Sequence, residues 1–308
     1  MKNFQFRIEQ LKIRLDFLKS ETFSPASSGT QYKVFVSKKY VIRFRDDDQG
    51  LLERETKFLQ QLNHRLIPKI IWAGTTDSHH MMIENRLPGQ TLDTVWRKLS
   101  AEIQNQIIQD IIQFIAYLQS RRNDYIYSVS TGKKYDRFFD YLADGLKEKV
   151  SAIEKYTQAE KVLKDILAII QNPEAQTVFQ RTKITLVHGD LIIHNLLTDG
   201  GNMTGVLDWE SALFGDSDYD LFRLFYYQEC AKAYHDQGID ETFESNYMDK
   251  LVAAILRSNF IKDEKIFYKK YQFARAIFYL NAFNWAANSD NPEKYFSELA
   301  TRWNKKRG

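Results

Sequence analysis

The first eighteen residues carry apolar side chains at spacings of four and three. These side chains belong to Phe4, Ile8, Leu11, Leu15 and Leu18. Because this spacing places them on one face of a helix, the stretch is predicted to be helical. Apolar and polar residues then alternate over residues 31–36 and again over 40–45. This alternation predicts two strands joined by a short turn.

A second helical pattern extends from Leu51 to Leu62 and has a carboxylate inside its apolar stripe. The apolar members are Leu51, Leu52, Phe58, Leu59 and Leu62. Glu55 lies at the centre of the stripe, whereas Glu53 points to the opposite face. A carboxylate on a buried face needs a partner, and Arg43 in the preceding strand is the candidate. The alternative is a glutamate at the edge of the stripe that reaches solvent.

Strand patterns continue to residue 83, and helical patterns dominate afterwards. Two further strands are predicted over residues 69–73 and 79–83, and the segment from Glu84 to Gly89 breaks the pattern. Helical periodicity then recurs over residues 103–118, 138–153, 162–170, 243–257 and 264–287. The chain is therefore predicted to place strands in its N-terminal part and helices in most of the remainder.

Two groups of residues are candidates for an acceptor-binding surface, and each has an alternative interpretation. One group recurs every four residues: Asp136, Asp140, Asp144 and Glu148. It would form an acidic wall for a cationic acceptor, although a solvated helix face is the commoner meaning of such a pattern. The other group is Trp285 with Asn281 and Asn284, for which core packing is the alternative.

Two short apolar runs in the C-terminal half each end in an aspartate. The run over residues 184–187 is followed by Asp190, and Asn195 comes five positions later. The turn-forming residues 199–202 then lead to a second apolar pair that ends in Asp208. A hairpin at this turn would bring the flanking segments together, so the two aspartates and the asparagine are expected to converge.

Three oxygen-bearing side chains at one point suit a hard cation such as Mg²⁺, which prefers one or two carboxylates together with phosphate oxygens. One aspartate can remain free of the metal and receive a proton from a substrate hydroxyl. This division of roles is the kinase solution to phosphoryl transfer. The alternative is that Asp190, Asn195 and Asp208 are ordinary turn residues at strand ends.

Three motifs occur in order around these residues. They read HGDxxxxN from His188 to Asn195, LDW at residues 207–209 and GDxxxD from Gly215 to Asp220. Together they resemble the signature of the aminoglycoside phosphotransferase and choline kinase-like family. The amino-acid sequence around the hairpin, over residues 196–220, is especially similar to that of the hygromycin phosphotransferase branch.

The resemblance implies an α+β fold of the bilobal protein-kinase-like type, with ATP bound between the lobes. A small N-terminal lobe with an antiparallel β-sheet is expected over residues 1–86, where it would hold the nucleotide phosphates. A larger, mainly helical C-terminal lobe is expected over residues 87–308. That lobe would carry the catalytic loop, the metal site and the acceptor-binding region.

The resemblance also implies a role for each motif residue. Asp190 would be the catalytic residue that orients the acceptor hydroxyl and takes up its proton. Asn195 and Asp208 would hold Mg²⁺. His188 would hold the loop by hydrogen bonding, and Asp220 would brace it without taking part in the chemistry.

Nucleotide-binding residues are expected in the N-terminal part. Arg43, fixed by Glu55, would contact the phosphates in place of the usual lysine, and Arg45 would replace it if the strand register shifted.

Two further segments would contact the nucleotide. Ser28 and Gly29, in a small-residue loop, would lie over the phosphates with their backbone N–H groups. Asn85 and Leu87, in the hinge between the lobes, would hold the adenine.

Composition limits the partners. The net charge of +3 among 308 residues gives no reason to expect nucleic acid or a membrane surface. A single cysteine, Cys230, excludes a disulfide within the chain and makes a cysteine-based zinc site implausible. The N-terminus has no signal-peptide core, and no apolar run approaches 18 residues. A soluble, cytoplasmic protein is expected, and its oligomeric state stays open.

The sequence thus predicts a small-molecule kinase that transfers the γ-phosphate of ATP, or of GTP, to a hydroxyl group. An aminoglycoside acceptor would make it an antibiotic-resistance enzyme. Choline, homoserine or a sugar-like metabolite are the alternatives, and a nucleotide-binding regulator without turnover is a further one. A protein kinase is disfavoured, because Gly189 replaces the usual arginine and an APE segment is missing.

Overall fold

A computed structural model describes residues 2–26, 33–45, 50–76, 79–180, 182–230 and 241–305, and the structural statements below concern these residues. The helices are α1 Lys2–Arg14, α2 Leu51–Leu59, α3 Leu92–Val95, α4 Ala101–Ser120, α5 Phe138–Leu142, α6 Leu146–Ile153, α7 Glu160–Ile170, α8 Pro173–Thr177, α9 Tyr219–Cys230, α10 Glu241–Arg257, α11 Glu264–Ala287 and α12 Pro292–Lys305. The strands are β1 Ser24–Pro25, β2 Lys33–Val36, β3 Tyr40–Phe44, β4 Ile70–Thr76, β5 His79–Asn85, β6 Gln90–Thr91, β7 Ile126–Ser128, β8 Lys134–Tyr135, β9 Ile184–Val187, β10 Leu196–Thr198, β11 Met203–Val206 and β12 Leu213–Asp216.

The chain divides into two compact units, and neither is continuous in sequence. The first unit comprises Met1–Ile103, Val129–Gly132 and Ile192–Ala212. The second unit comprises Gln104–Ser128, Lys133–Leu191 and Leu213–Gly308. The lobe boundary expected between residues 86 and 87 stays a prediction. In the described part of the chain, no helix has the length and apolar character needed to cross a membrane.

The first unit contains a five-stranded antiparallel sheet in the order β1-β2-β3-β5-β4. The predicted hairpin is present as β2 and β3, with Val34 opposite Arg43 and Val36 opposite Val41. One face of the sheet packs against α1 through a buried apolar cluster. Its members include Ile8, Leu11, Phe35, Ile42, Phe44, Met81 and Ile83. The amphipathic pattern of the first eighteen residues is explained by this contact.

The opposite face of the same sheet carries polar side chains and is covered by α2. Arg43 lies opposite Met82, and Glu84 follows two residues along β5 on the same face. The Thr56 hydroxyl of α2 donates a hydrogen bond to the Met82 sulfur at 3.1 Å. Buried residues of α2 include Leu52, Phe58 and Glu55. The carboxylate in the apolar stripe is therefore buried, and the solvent-reaching alternative is wrong.

A second sheet of the first unit has the order β11-β10-β6. Its central hairpin is closed by the predicted turn over residues 199–202, where the Asp199 carboxylate accepts hydrogen bonds from the N–H groups of Gly201 and Asn202 at 2.9 Å each. Gly200 adopts a φ of +93°, which glycine tolerates without strain. The hairpin places Asn195 just before β10 and Asp208 two residues after β11.

The second unit is mainly helical around a four-stranded antiparallel sheet in the order β8-β7-β12-β9. The helices predicted over residues 243–257 and 264–287 are present as α10 and α11. The Asp263 carboxylate caps α11 by accepting a hydrogen bond from the Ile266 N–H at 3.0 Å. Fully buried aromatic side chains fill the core of this unit; they include Phe114, Phe138, Phe222, Phe273, Phe278, Phe283, Tyr247, Tyr279 and Trp303.

The four acids of the predicted acidic wall do not lie on one continuous helix. The helix expected over residues 138–153 breaks into α5 and α6, because Gly145 adopts a left-handed φ of +68° between them. Asp140 pairs with Arg137, with a closest approach of 2.6 Å. Asp144 lies 3.0 Å from the Lys133 ammonium and accepts a hydrogen bond from the Tyr135 hydroxyl. These carboxylates are therefore already neutralised within the chain.

Trp285 does not pack in the core, which was the alternative interpretation of this residue. Its side chain is 59% exposed, and its ring contacts Tyr295 at a centroid distance of 5.0 Å. Core packing is therefore wrong for this residue, and its place in an acceptor pocket stays a prediction.

Ile8 and Ile13 provide a matched test of how α1 is placed, since the first is fully buried and the second is 70% exposed on the same helix. The change Ile8→Ala is expected to lower the free energy of unfolding by about 2–5 kcal/mol, because it removes buried apolar contacts and leaves a cavity. The control Ile13→Ala is expected to change it by less than about 0.5 kcal/mol. Urea unfolding followed by circular dichroism measures both, and equal effects would contradict this placement.

Candidate active site

A buried ion pair joins the sheet of the first unit to α2. The Arg43 guanidinium donates from Nη1 to Oε1 of Glu55 at 2.6 Å and from Nη2 to Oε2 at 3.0 Å. The pair predicted from the apolar stripe is thus present, with the planar two-point geometry that arginine allows. Glu55 Oε1 also accepts a hydrogen bond from the backbone N–H of Trp209 at 3.3 Å. The carboxylate therefore connects β3, α2 and the residue that follows Asp208.

Arg45 does not replace Arg43 in this contact. The observed register places Arg43 on the face covered by α2. Arg45 follows the end of β3, and its guanidinium lies 3.4 Å from the Glu210 carboxylate. The register of β3 therefore determines that Arg43, and not Arg45, pairs with Glu55.

Asp208 is the only non-glycine residue with a positive φ in the described ranges, at +64°. Left-handed backbone costs free energy for residues with a side chain, and it recurs at functional sites where the surroundings enforce it. The N–H of Leu207 donates to the carbonyl of Asn195 at 2.8 Å, so the segments before β10 and after β11 are held side by side.

Asn195 and Asp208 together offer an amide oxygen and a carboxylate. These are hard oxygen donors that fit Mg²⁺, which keeps several waters and takes only one or two protein carboxylates. The described residues contain no group of three or more His, Cys, Asp and Glu side chains arranged to hold a metal ion.

Glu84 is a buried acid that the sequence interpretation did not single out. Its side chain lies on β5, only 5% of the residue is exposed, and its Oε2 atom has no hydrogen-bond partner within the described residues. Burial raises the pKa of Glu84 to about 7; Arg43 opposes this rise, and Glu55 and Asp208 add to it. Its position on the Arg43 face of an alternating strand was the signal that could have identified it.

The predicted hinge residues follow Glu84 directly. The Asn85 side-chain oxygen accepts a hydrogen bond from the Lys69 N–H at 2.5 Å, and the Asn85 N–H donates to the Lys69 carbonyl at 3.0 Å. Leu87 is buried beside Gly205, where an added Cβ would lie 2.7 Å from Leu87 Cδ1. β11 therefore approaches the hinge closely. Ser28 and Gly29, predicted to contact phosphates, lie outside the described residues.

In the second unit, the Asp190 carboxylate is held by two side chains of α9. Its Oδ1 accepts hydrogen bonds from the Arg223 guanidinium at 3.0 Å and from the Tyr227 hydroxyl at 2.6 Å. Burial alone would raise the pKa of Asp190, but Arg223, Tyr227 and His188 together bring it below its usual value. The carboxylate is therefore ionised at neutral pH and able to accept a hydrogen bond from a hydroxyl group.

The loop that carries Asp190 is fixed by Asp220. One oxygen of Asp220 accepts from the His188 N–H at 3.0 Å and the other from the Gly189 N–H at 2.8 Å. The His188 ring nitrogen Nδ1 accepts from the Asp190 N–H at 3.2 Å. Gly189 has a φ of +81°, a conformation that favours glycine at this position. These contacts are those expected of bracing residues, and their part in a reaction stays a prediction.

A buried lysine supports the turn that leads to Asp220. The Lys270 ammonium on α11 lies 2.8 Å from Asp216 and 3.4 Å from Asp218. Asp216 also accepts a hydrogen bond from the Thr182 hydroxyl at 2.8 Å. The sequence interpretation missed Lys270, although a single lysine at a buried position of an otherwise apolar and aromatic helix face was a usable signal.

Solved structures with the same fold match nearly the whole chain. A thermostable mutant of aminoglycoside phosphotransferase APH(4)-Ia, in ternary complex with ADP and hygromycin B, has a TM-score of 0.68 at 16% identity, covering 96% of this chain and 98% of that one. ADP-bound aminoglycoside phosphotransferase APH(2'')-Ib has a TM-score of 0.67 at 18% identity, covering 95% and 97%. The predicted α+β, protein-kinase-like fold class is confirmed.

A family model described as the phosphotransferase enzyme family matches residues 22–249. The chain belongs to this family. Two curated relatives match parts of it. Hygromycin-B 4-O-kinase of Escherichia coli is 46% identical over 43 residues, which are 14% of this chain and 13% of the relative. Clavilactone A biosynthesis cluster protein Y of Ampulloclitocybe clavipes is 26% identical over 216 residues, covering 54% of this chain and 52% of the relative. The chain thus spans at most about half the length of these relatives.

Because the pKa of Glu84 is higher in the folded protein than in the unfolded chain, ionisation of this carboxyl lowers the free energy of unfolding. The carboxyl ionises at its ordinary value of 4.5 in the unfolded chain and at about 7 in the folded protein, so this group lowers stability as pH rises through that window. The change Glu84→Gln removes the titration. Between about pH 5 and pH 8 we expect the variant to gain up to about 3 kcal/mol in the free energy of unfolding relative to the unmodified protein.

Glu53→Gln is the control for this pH series. Its side chain is 40% exposed on α2, and its hydrogen bond with Lys57 lowers the pKa of Glu53 instead of raising it. No gain above neutral pH is expected for this variant. Urea unfolding over the pH range measures both changes, and a pH-independent difference for Glu84→Gln would refute the burial of an unpaired acid.

Proposed function

We propose that the protein transfers the γ-phosphate of ATP to a hydroxyl group of a small molecule. The observation that carries this proposal is the Asp190 carboxylate, ionised and held by Arg223 and Tyr227 at the end of a loop that Asp220 braces. An ionised carboxylate in a fixed position can orient a hydroxyl and accept its proton. Membership of the phosphotransferase enzyme family supports the same reaction class.

In this proposal Asp190 acts mainly by orientation. Because the transition state of phosphoryl transfer is loose, placing the acceptor oxygen in line with the phosphorus matters more than strong basicity. Asn195 and Asp208 would hold Mg²⁺, which would supply positive charge to neutralise that of the phosphates. His188 and Asp220 keep the loop in place and take no part in the chemistry.

The remaining nucleotide contacts come from the N-terminal part of the chain. Arg43, fixed by Glu55, contacts phosphate oxygens with the donors that the ion pair leaves available. Asn85 and Leu87 hold the base, and the assignment of Ser28 and Gly29 to the phosphates stays a prediction from the sequence. ATP is the proposed donor, with GTP as the alternative.

A hygromycin-type aminoglycoside is the first acceptor proposed. Its support is the local 46% identity to hygromycin-B 4-O-kinase, which covers only 43 residues. Phosphorylation of such an antibiotic would give the protein a role in resistance.

A sugar-like acceptor with little positive charge is the second candidate, and the charges of the second unit favour it. Arg223 places a cation against the catalytic carboxylate. Asp140 and Asp144 already pair with Arg137 and Lys133. A polycation would therefore gain little attraction from these acids. Choline and homoserine remain alternatives of the same reaction class.

The change Asp190→Ala tests the central assignment. It is expected to lower acceptor-dependent ADP release at least about 100-fold, because the group that orients the hydroxyl and takes its proton is lost. Affinity for the nucleotide should persist. A coupled ADP-release assay with Mg²⁺-ATP and a panel of hygromycin B, other aminoglycosides, neutral sugars, choline and homoserine measures the reaction.

Asp290→Ala, at an exposed position, is the control and should retain full activity. Turnover that survives in Asp190→Ala would exclude the assignment. Nucleotide binding without turnover on any acceptor would favour a regulator.

The change Asp208→Asn tests the proposed metal site. It removes a charged ligand, which should cost at least as much as losing an outer-shell partner, and the Mg²⁺ concentration for half-maximal rate is expected to rise about 10- to 100-fold. Mg²⁺ titration at fixed ATP measures this value. A Mg²⁺ requirement identical to that of the unmodified protein would remove Asp208 from the site.

A further inference from the structure

Asn195, one of the two proposed Mg²⁺ ligands, is the last residue of a short 3₁₀ turn, Ile193–Asn195. Its backbone is held on both sides. The Asn195 N–H donates to the Ile192 carbonyl at 3.0 Å, and the Asn195 carbonyl accepts from the Leu207 N–H at 2.8 Å. These bonds limit where the backbone lies. The direction of the side chain also depends on how the short turn is rotated about its axis, which a contact away from that axis can fix.

His194 makes such a contact with a carboxylate of α3. His194 Nδ1 lies 3.1 Å from Asp93 Oδ2, and the two side chains are 30% and 22% exposed. A neutral ring with its hydrogen on Nδ1 is sufficient to donate this bond. Because a 3₁₀ helix has three residues per turn, the side chains of His194 and Asn195 point about 120° apart. Holding the first therefore sets the direction of the second.

Asp93 is itself fixed as an ionised acceptor. Burial raises the pKa of Asp93, but hydrogen bonds from His194 and Thr91 and from the backbone of Thr94 outweigh this and lower it below its usual value. The Thr94 hydroxyl donates to the Thr91 carbonyl at 2.7 Å, which closes the start of α3. The carboxylate that receives the His194 bond thus stands at a defined place.

The segment that contains Asp93 also holds the chain on the other side of Asn195. Strand β6 ends two residues before Asp93 and pairs with β10, where Thr91 lies opposite Leu197. Residues 90–93 therefore bind the chain both before and after Asn195, through His194 on one side and through β10 on the other. The contact between Asp93 and His194 is the part of this arrangement next to the proposed metal ligand.

We propose that Asp93 and His194 are positioning residues for the metal, because their contact sets the direction in which Asn195 presents its side-chain oxygen to Mg²⁺. This inference rests on the proposed function, since it concerns the metal that accompanies the phosphate donor. Neither residue touches the metal or the substrate; both act through Asn195. Loss of the contact should weaken Mg²⁺ binding and leave binding of the metal-free nucleotide unchanged.

The test measures the dissociation constant of ATP by calorimetry, once with Mg²⁺ and once with EDTA in its place. The ratio of the two constants, here called the Mg²⁺ increment, reports on the metal site without any turnover. His194→Leu and Asp93→Ala each remove the contact. Both are expected to abolish the increment or to lower it about 10-fold, as when a partner that orients a metal ligand is lost. The dissociation constant with EDTA should not change.

Two conservative variants separate a positioning role from a merely structural one. His194→Asn places an amide N–H near the position of Nδ1, and Asp93→Asn keeps an oxygen that can accept from Nδ1. Both should retain most of the Mg²⁺ increment. The double variant of Asp93→Ala with His194→Leu should lose no more than either single change, because both remove the same contact.

His80→Leu is the matched control. His80 Nε2 lies 3.2 Å from Glu53 Oε2, so this variant also breaks a contact between a histidine and a carboxylate of the first unit. Neither residue adjoins a proposed metal ligand in the chain, and the Mg²⁺ increment should stay that of the unmodified protein.

Four outcomes would overturn the inference. The first is an unchanged Mg²⁺ increment in His194→Leu and Asp93→Ala. The second is an equal loss of ATP affinity with and without Mg²⁺, which would make the pair a support of the fold alone. The third is an equal loss of the increment in His80→Leu. The fourth is the absence of any increment in the unmodified protein, which would remove the metal site as well.

Acceptor-dependent ADP release tests the proposed transfer separately. A Mg²⁺ increment that depends on Asp93 and His194, in a protein that phosphorylates no acceptor, would support the inference and exclude the transfer. Transfer in a protein whose increment is the same in all variants would leave the proposed function in place and exclude the positioning role.

Discussion

The buried pair of Arg43 and Glu55 is the contact on which the first unit depends. Neither charge is stable alone in this environment, and removing one partner of a buried pair typically costs about 3–5 kcal/mol. Because Glu55 also binds the backbone of Trp209, the same carboxylate fixes the sheet, α2 and the segment after Asp208. A structural ion pair thereby sets the position of the proposed metal ligand.

The two units handle buried charge in different ways. In the first unit, Arg43 pairs with Glu55, whereas Glu84 is buried without a hydrogen bond to its Oε2 atom among the described residues. In the second unit, two buried or partly buried acids have basic partners, since Asp190 contacts Arg223 and Asp216 contacts Lys270.

Much of this could be predicted from sequence, since the decisive patterns are local. The hairpin strands, the buried Glu55 and the turn over residues 199–202 follow from periodicity and turn chemistry. Arg223, at Asp190, was missed because that contact joins residues 33 positions apart and depends on how α9 packs. The single helix expected over residues 138–153 was wrong because Gly145, with its left-handed φ, separates α5 from α6. Secondary structure that depends on local residue patterns can be predicted from the sequence, whereas contacts between elements far apart in the chain cannot.

Trp209 gives the first unit a built-in optical reporter. Its indole is fully buried, donates to the Val206 carbonyl at 3.0 Å and follows Asp208 directly in the chain. An indole sealed from water emits at shorter wavelength than one in solvent, and its emission responds to charge placed nearby. A cation arriving at Asp208 would therefore change the fluorescence of the protein without any added dye. The Arg43–Glu55 pair, which binds the Trp209 N–H, would also limit motion of the indole that could otherwise alter its emission.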